Sequence, residues 1–594
     1  MNAAQPRDAD SSARLRGYNR FLLFVAGLGG LLYGIDVGII GGALPYLEAT
    51  SRLTAAQLSV IVAAVLLGSV LSTLFAGLLA DWMGRKPLMV LSGVAFIVSI
   101  PVIALSHGYA PLFFGRLLQG TSGGLIGVVV PLYLAECLAA AHRGKGTAVF
   151  QWLLTLGIVA AALVGMYFSY RVEAVAQTAG ATALFAFKDQ AWRSIFWVSL
   201  PPGVVFVLGS LRVTESPRWL YRKGKTEPAR VALLRSRTPD QAQREFNEMA
   251  QTGRATALGT HARDPILQRK YLLPFLLACV ILFCNTATGV NSIIGYNTGI
   301  LIQSGLSDLA AHWGYVVFTV VNFLMTIVGM TLVDRIGRRS LLIVGTSGII
   351  VSLLAVGIGF LRTEARSVNA RSAVQQKLTT GRQLMLHFTP AVAEELLVEN
   401  GAAGRMDPGR VTLAIIYSCG DFTAATSFVR SDDPAAAPLV VDRANCLPAN
   451  RVEALFKNPF GNFGAAMDAP LRIEKAILGP IPEVSHGWLI ALGLYLFMGF
   501  YAMGPGVCVW LALSELMPTR IRSNGMSIAL VINQLVSTTL AAIFLPFVSK
   551  YGYSSIFFLF AGFTVVYFLT AKFFLPETKG KTLEEIEAHF AARV

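Results

Sequence analysis

Long apolar runs alternate with shorter polar connections along most of the 594-residue chain. A helix needs about 20 mainly apolar residues to cross the hydrocarbon core of a bilayer. We therefore predict twelve membrane-spanning helices, at residues 20–47, 56–80, 87–106, 109–137, 145–170, 192–212, 271–302, 309–333, 340–361, 487–512, 523–549 and 553–575. The pattern indicates an all-α membrane protein.

Two polar motifs occur twice and divide the chain into similar halves. The motif D-x-x-G-R-[KR] begins at Asp81 after span two and at Asp334 after span eight, 253 residues later. The motif E-x6-R begins at Glu136 and again at Glu515, 379 residues later, and ends at Arg143 and Arg522. Two six-helix halves are therefore predicted, and the second half has gained about 126 residues between its two motifs. Transporters that rock one half against the other about a midplane site have such repeats.

The extra residues predict an insertion in the second half. We divide the chain into an N-terminal six-helix half (1–212), a helical linker (213–270), spans seven to nine (271–361), the insertion (362–486), spans ten to twelve (487–575) and a tail (576–594). Within the insertion, Val411–Tyr417 is typical of a strand and Pro390–Asn400 of a helix, whereas 431–450 is typical of loop. The insertion is predicted to be a small domain or a partly ordered cap.

The net charge of +15 comes from 49 Lys and Arg against 34 Asp and Glu, so its location matters. The side with both termini holds 30 basic and 16 acidic residues, and the short connections of the other side hold five and four. The insertion holds 13 of each. The positive-inside rule therefore predicts cytoplasmic termini and a periplasmic insertion in a bacterial inner membrane. The charge is an orientation signal, and no nucleic-acid partner is expected.

The six cysteines show no metal-ligand spacing, and no metal or cofactor is expected. Four of them lie in or at the ends of spans, scattered along the chain. Cys419 and Cys446 both lie in the insertion, where an oxidising compartment permits a disulfide. Two independent thiols are the alternative.

Further motifs resemble the sugar porter family of the major facilitator superfamily. Besides the repeated motifs they include Gly115-Arg116-x3-Gly120, Pro131-x-Tyr133-x2-Glu136, Glu215-Ser216-Pro217-Arg218 and Pro576-Glu577-Thr578-Lys579-Gly580. The first span is similar to that of bacterial galactose–proton symporters, and the chain as a whole resembles bacterial galactose, xylose and arabinose–proton symporters. The resemblance covers all twelve spans but not the insertion, and it implies the major facilitator fold.

Asp36 and Arg116 are the two ionisable residues that we place well inside spans. Charge at membrane depth is costly and by default functional. The resemblance places both residues at the proton-coupling pair of the symporters, and facilitators of the family generally have a neutral residue at the aspartate. A purely structural ion pair is the alternative.

Amides at membrane depth suit a sugar, which offers many hydroxyls to donors and acceptors. The resemblance implies sugar contacts at Gln151, Asn285, Asn291, Asn322 and Asn533, with Trp510 as a stacking face. The alternative is that these amides hold helices together. The family usually has two glutamines where this chain has Asn285 and Thr286, so the resemblance does not identify the sugar as glucose.

The charged helix ends resemble a cytoplasmic latch that closes when the transporter faces outward. Its expected members are Asp81, Arg85, Glu136, Arg143, Glu215, Arg218, Asp334, Arg338, Glu515 and Arg522. Basic turns that serve only as topology signals are the alternative.

We therefore expect a proton-coupled symporter of a hexose or pentose rather than an enzyme. Its partners are the sugar, protons and the lipid bilayer, and a monomer is sufficient. A facilitator of the same fold is the first alternative. A sugar-sensing receptor is the second, which the short tail after Pro576 disfavours.

Overall fold

The computed structural model describes residues 6–577 and 579, apart from 52, 139, 258–268, 379–382, 434–435, 437, 449, 459–460, 518–521 and 578. Twelve helical segments within this described part are long and apolar enough to cross a membrane, one for each predicted span. The prediction of a twelve-helix membrane protein is thus confirmed.

The first half contains seven helices. They are α1 (Pro6–Thr50), α2 (Ala55–Met83), α3 (Arg85–Ala104), α4 (Tyr109–Cys137), α5 (Ala140–Thr178), α6 (Ala181–Trp197) and α7 (Leu200–Arg212). Helices α6 and α7 together form the sixth span, and Pro201 and Pro202 open α7. Three linker helices follow, α8 (Pro217–Arg222), α9 (Thr226–Ser236) and α10 (Pro239–Ala257).

The sixth span begins earlier than predicted, at Ala181 rather than 192. The added turns contain Lys188 and Asp189, two charged residues in an otherwise apolar segment. In the structure the Lys188 side chain is buried, and its Nζ lies 2.8 Å from a carboxylate oxygen of Asp433 in the insertion. A partner 245 residues away along the chain therefore allows this lysine to lie within the helix.

The second half begins with α11 (Arg269–Ala287), α12 (Val290–Gln303), α13 (Asp308–Ile336) and α14 (Arg338–Glu364). Helices α11 and α12 form one span that is broken at Gly289, which has φ +83°. A Cβ at Gly289 would lie 2.3 Å from the ring of Phe560, so only glycine fits at this break.

The insertion folds into strands and short helices. They are β1 (Val368–Asn369), α15 (Arg371–Gln376), β2 (Gln383–Leu386), α16 (Pro390–Glu399), β3 (Val411–Cys419), β4 (Phe422–Ala425), β5 (Val429–Arg430), β6 (Leu439–Asp442), α17 (Arg443–Cys446), α18 (Arg451–Lys457), α19 (Phe463–Asp468) and β7 (Leu471–Pro480). The chain then returns to the membrane through α20 (Val484–Met503), α21 (Pro505–Leu516), α22 (Arg522–Tyr551) and α23 (Tyr553–Phe573).

The sheet of the insertion is antiparallel and encloses an apolar core of its own. Its strand order is β1-β7-β3-β4, and β5 also pairs with β3, while β2 and β6 form a separate pair. Every residue of β3 is buried, among side chains such as Leu396 and Val441. The predicted strand and helix are β3 and α16. The expectation of loop at 431–450 is wrong for β6 and α17, because Leu439 and Val441 are buried where β6 pairs with β2.

The insertion joins α14 to α20, and we call the end of the helix bundle that it contacts the insertion end. Arg430 Nη1 donates to the carbonyl oxygens of Ile302 (2.9 Å) and Leu306 (3.1 Å) at the end of α12. Ser549 Oγ donates to the carbonyl oxygen of Thr426 at 3.3 Å. Since Lys188 belongs to the first half, the insertion contacts both halves. The opposite end carries α8–α10, and we call it the linker end.

Candidate functional site

A buried ion pair lies between α1 and α4 of the first half. Asp36 Oδ1 lies 3.9 Å from Arg116 Nη1, and each side chain is 1% exposed. The structure thus brings together the two residues that the sequence singled out inside spans. Neither carboxylate oxygen of Asp36 has a hydrogen-bond partner in the described part of the chain.

The surroundings of this pair are set by small and aromatic residues. A Cβ at Gly123 would lie 2.7 Å from Asp36 Oδ2, so this glycine makes room for the carboxylate. Arg116 Nη1 also donates to Gln119 Oε1 at 2.6 Å, and the guanidinium lies 5.5 Å from the centre of the Phe196 ring. Arg116 therefore has other contacts that are independent of Asp36.

The broken seventh span places two of the predicted amides on either side of the break. Asn285 precedes Gly289 on α11, and its Nδ2 donates to the hydroxyl of Tyr501 at 3.3 Å. Asn291 follows on α12 and donates to Ser537 Oγ at 2.7 Å. The Oδ1 of Asn285 is buried without a hydrogen-bond partner among the described residues. Transporters commonly bind substrate at such breaks in the middle of a span.

The remaining amides fall into two groups by their contacts. Gln151 on α5 and Asn322 on α13 make no side-chain hydrogen bond to the described residues, which leaves their amides available to a ligand. Asn533 on α22 donates to the carbonyl oxygen of Leu282 at 2.9 Å, and Thr286 Oγ1 donates to the carbonyl oxygen of Asn533 at 3.2 Å. Asn533 therefore ties α22 to α11, as the helix-packing alternative proposes. Trp510 lies on α21, and its side chain is outside the described part.

At the linker end, the first half holds a compact charged cluster. The Arg85 side chain is 2% exposed, and its Nη2 and Nε each lie 2.9 Å from a carboxylate oxygen of Glu136. Asp81 Oδ1 lies 3.0 Å from Arg85 Nη2, and Ser216 Oγ donates to Glu136. Asp81, Arg85 and Glu136 therefore meet at one place, and Glu215, the fourth predicted latch residue there, contacts the backbone of Arg85.

Glu215 binds the start of α3 rather than a side-chain cation. Its carboxylate accepts from the backbone N–H groups of Arg85 (3.0 Å) and Lys86 (3.2 Å). Burial raises the pKa of Glu215, and its hydrogen bonds from the amides of Ser216, Lys86 and Arg85 oppose that rise. A carboxylate at a helix N-terminus compensates the unpaired amides and the helix dipole.

Some of the predicted latch residues do not join this cluster in the described structure. Arg218 is exposed and forms none of the described ion pairs, whereas Arg222 lies 3.3 Å from Asp81 and 3.6 Å from Glu136. The helices of four others are described but their side chains are not; these are Arg143, Asp334, Glu515 and Arg522.

The second half repeats the same cap with a residue that the sequence analysis did not assign to the latch. The carboxylate of Glu577 accepts from the backbone N–H groups of Arg338 (3.0 Å) and Arg339 (3.1 Å) at the start of α14. Glu577 therefore has the position that Glu215 has at α3. Gly84 and Gly337 have φ of +105° and +98°, and a Cβ on either would lie within 2.6 Å of the capping carboxylate. The sequence contains one sign of this equivalence, because Glu215-Ser216-Pro217 and Pro576-Glu577-Thr578 each have a glutamate within two positions of a proline.

Cys419 and Cys446 lie in the core of the insertion as free thiols, so the structure does not contain the predicted disulfide. The thiol of Cys446 donates to the carbonyl oxygen of Phe422, and the two thiols interact electrostatically. Burial raises the pKa of Cys446 to about 12. Their pairing stays a prediction.

A polar cluster that was not predicted from the sequence joins the halves near the insertion end. Asp308 Oδ2 on α13 accepts from Tyr46 on α1 at 2.7 Å and from Ser169 on α5 at 2.6 Å. His312 is fully buried beside it and stacks on Tyr46, with ring centres 5.4 Å apart. Tyr315 donates to the carbonyl oxygen of Gly38 at 2.8 Å. These residues stand near the ends of predicted spans, where polar residues are ordinary, so only their pairing reveals them.

Comparisons with known proteins agree with this architecture. A family model described as "Sugar (and other) transporter" matches residues 22–386 and 472–590, and the gap lies within the insertion. The chain is 27% identical over 577 residues to the human proton myo-inositol cotransporter, covering 96% of this chain and 81% of that protein. It is 26% identical over 580 residues to the glucose transporter GlcP of Staphylococcus epidermidis, covering 97% and 98%.

The fold is also that of a solved transporter. The inward-open xylose transporter XylE of Escherichia coli aligns with a TM-score of 0.63 at 18% identity, covering 96% of this chain and 98% of that one. Twelve membrane helices in two similar halves, a broken span with amides beside it and the family match over most of the chain lead to one conclusion. The chain belongs to the sugar transporter family of the major facilitator superfamily and is a membrane transporter rather than an enzyme.

Proposed function

We propose that this transporter couples the uptake of a hexose, a pentose or a related cyclic polyol to the entry of protons. The observation that carries the proposal is the buried pair of Asp36 and Arg116. An acid that is removed from water in a membrane helix is expensive to keep unless it has a function. A facilitator needs no such group.

The electrostatics of the pair allow Asp36 to exchange a proton. Two unit charges about 4 Å apart attract by about 4 kcal/mol at an effective dielectric constant of 20. Removing each charge from water costs several kcal/mol, so attraction and desolvation are of similar size. Because Asp36 accepts no hydrogen bond from the described residues that would hold its charged form, neither protonation state is strongly fixed.

The coupling then requires only a shared conformational change. With Asp36 charged, its attraction to Arg116 holds α1 and α4 in one arrangement. Protonation removes that attraction, and Arg116 keeps Gln119 and Phe196 as partners. If substrate binding and protonation favour the same rearrangement of the halves, each promotes the other without a chemical step.

The amides beside the broken span are the proposed substrate site. Gln151 and Asn322 are free of other hydrogen bonds in the described structure, and the two belong to opposite halves. Asn285 and Asn291 extend the site at the break. The names of the relatives include myo-inositol and glucose, which are ring-shaped solutes with many hydroxyls. Amide groups suit such solutes because each can both donate and accept.

The proposed location is a bacterial inner membrane, with both termini in the cytoplasm and the insertion in the periplasm. The excess of basic residues at the linker end supports this orientation. The twelve membrane helices require a bilayer but are compatible with either orientation.

The test replaces Asp36 with Asn and measures uptake of labelled glucose, xylose and myo-inositol in a transport-deficient host. The parent protein should accumulate one of them in an uncoupler-sensitive way. Asp36→Asn should still exchange that solute across the membrane but should not concentrate it, because it mimics one protonation state permanently. Asp189→Asn is the matched control, since Asp189 pairs with Arg193 at 3.0 Å in the same half and is partly exposed.

Two outcomes would contradict the proposal. Uncoupler-sensitive accumulation by Asp36→Asn would show that another group carries the proton. Uptake by the parent protein that only equilibrates the solute, with or without the uncoupler, would identify a facilitator.

A further inference from the structure

The imidazole of His312 lies between two carbonyl oxygens. Its Nδ1 is 2.9 Å from the carbonyl oxygen of Asp308, one turn earlier on α13. Its Nε2 is 3.1 Å from the carbonyl oxygen of Gly42 on α1, in the other half of the transporter. A carbonyl oxygen can only accept, and a neutral imidazole has a single N–H. A neutral His312 would therefore turn an unprotonated nitrogen toward one of the two oxygens, whereas an imidazolium donates to both.

The neighbouring carboxylate supplies the matching negative charge. Asp308 Oδ1 lies 3.5 Å from His312 Nδ1. The other oxygen, Oδ2, accepts from the hydroxyls of Tyr46 and Ser169, so that oxygen carries no proton. A second acceptor oxygen therefore lies close to Nδ1, on the same residue that contributes the carbonyl oxygen.

Other titratable groups lie near this cluster on α1, α5, α6, α20 and the insertion. A cavity of about 430 Å³ beside Asp308 is also lined by Glu48 of α1, Glu173 of α5, Lys188 of α6, and Arg430, Asp432 and Asp433 of the insertion. Lys188 is paired with Asp433 and Arg430 with Asp432, at 2.8 and 2.7 Å. The two glutamates are acids, so neither opposes a positive charge on His312. From α20, the phenol of Tyr495 lies near Gly314.

We propose that His312 is a second proton-binding group of this transporter, and that its proton fastens the two halves together at the insertion end. Opening that end separates α13 from α1, so His312 loses the carbonyl oxygen of Gly42, and Asp308 loses the hydroxyl of Tyr46. The closed arrangement therefore binds this proton more tightly than the open one. By linkage, a lower pH on the insertion side favours closure and a higher pH favours opening. This inference is independent of Asp36, because a facilitator with this cluster would show the same pH dependence.

The experiment measures opening at the insertion end with a buried cysteine. Val62 on α2 is 5% exposed, and one of its methyl groups would lie 3.3 Å from a Cβ at Gly295 on α12, across the two halves. Val62→Cys nearly preserves the shape of the side chain, and the six native cysteines are buried. A membrane-impermeant maleimide is added on the insertion side of right-side-out vesicles, between about pH 5 and pH 8. Each rate is divided by the rate for the unfolded protein at the same pH, which removes the pH dependence of the thiol itself.

Labelling of Val62→Cys should become faster as the pH rises. His312→Gln in this background can donate only one of the two hydrogen bonds and has no charge. It should label roughly tenfold faster at the acidic end, since a hydrogen bond to a charged group changes an equilibrium by about that factor or more. It should also lose the pH dependence.

Tyr315→Phe is the matched control, because it removes a neighbouring hydrogen bond between the halves and leaves the imidazole of His312 in place. It should label faster at every pH and keep the pH dependence of the parent. Asp308→Asn should begin to label at a lower pH than the parent, because the imidazolium loses its counter-charge. The proposal is overturned if His312→Gln keeps the parent's pH dependence, or if Asp36→Asn abolishes that dependence while His312→Gln does not.

Discussion

The two ends of the helix bundle are held in different ways. At the insertion end, hydrogen bonds cross between the halves, from Tyr46 and Ser169 to Asp308 and from His312 to Gly42. At the linker end, the described ion pairs and carboxylate caps do not cross between the halves, and those around Arg85 join the first half only to the linker that follows it. The molecule is therefore closed at the insertion end.

The difference follows from what the repeat contains. The linker end carries the repeated motifs, so Glu215 at α3 and Glu577 at α14 cap equivalent helices in the same way. Each half can therefore keep this structure while the halves move. The insertion end has no such repeat, because the insertion belongs to the second half only and Lys188 binds it from the first. Contacts across the halves at this end must break for the transporter to open there.

The largest expected effect is the removal of Arg85 from the linker end. Arg85→Ala should lower the free energy of unfolding by about 3–5 kcal/mol, because the buried carboxylate of Glu136 loses the cation that lies 2.9 Å away and keeps only the more distant Arg222 and the hydroxyl of Ser216. Such a loss would show that the first half depends on its own cluster at the linker end. Thermal unfolding in detergent measures the effect. Arg338→Ala is the control from the other half; its side chain is only partly buried, so its loss should be about 1 kcal/mol.

The second effect concerns the stability of the insertion. We expect Cys419 and Cys446 to form a disulfide, which would stabilise this small domain by roughly 2–4 kcal/mol. Thiol labelling of the unfolded, unreduced protein should then detect neither cysteine. Two reactive thiols from this segment would contradict the prediction. In that case the native thiols should react very slowly near neutral pH, because burial raises the pKa of Cys446 to about 12.

The third effect separates substrate binding from helix packing in the middle of the bundle. Asn322→Ala should leave folding intact and weaken substrate binding by about 1–3 kcal/mol, because the substrate loses a hydrogen-bond partner. Asn533→Ala should instead lower stability, since its amide ties α22 to α11. Binding of the transported solute and thermal unfolding are measured for both variants. Normal binding by Asn322→Ala would favour the packing alternative for that residue.

The smallest effect tests whether the insertion helps to hold its own end closed. Arg430→Met removes the donor to the carbonyl oxygens of Ile302 and Leu306, a loss of about 1 kcal/mol. Labelling of Val62→Cys should then become about fivefold faster. Arg405→Met is the control, because Arg405 is exposed elsewhere in the insertion. Equal labelling rates in the two variants would mean that the insertion contacts the bundle without stabilising the closed arrangement.

The twelve spans, the two halves and the pair of ionisable residues at membrane depth could be predicted from the sequence alone. Apolar runs of bilayer length have few other uses, and a buried charge such as Asp36 stands out against them. The repeated turns were also readable, because their glycines and basic residues recur at matching places. The strand at Val411–Tyr417 was also visible, because this segment is rich in β-branched and apolar residues, and the observed strand extends it to Cys419.

Which polar residues act together could be seen only in the three-dimensional structure. Asp308 and His312 look like ordinary residues at the start of a span until Gly42 and Tyr46, 270 and 262 residues away, are seen beside them. Lys188 lies outside the predicted sixth span, and only its ion pair with Asp433 explains its place within a membrane helix. Asn533 resembles a sugar ligand until its hydrogen bond to Leu282 is seen. The physical reason is that a hydrogen bond or ion pair depends on distance in space. Periodicity and composition report only the environment of one element at a time.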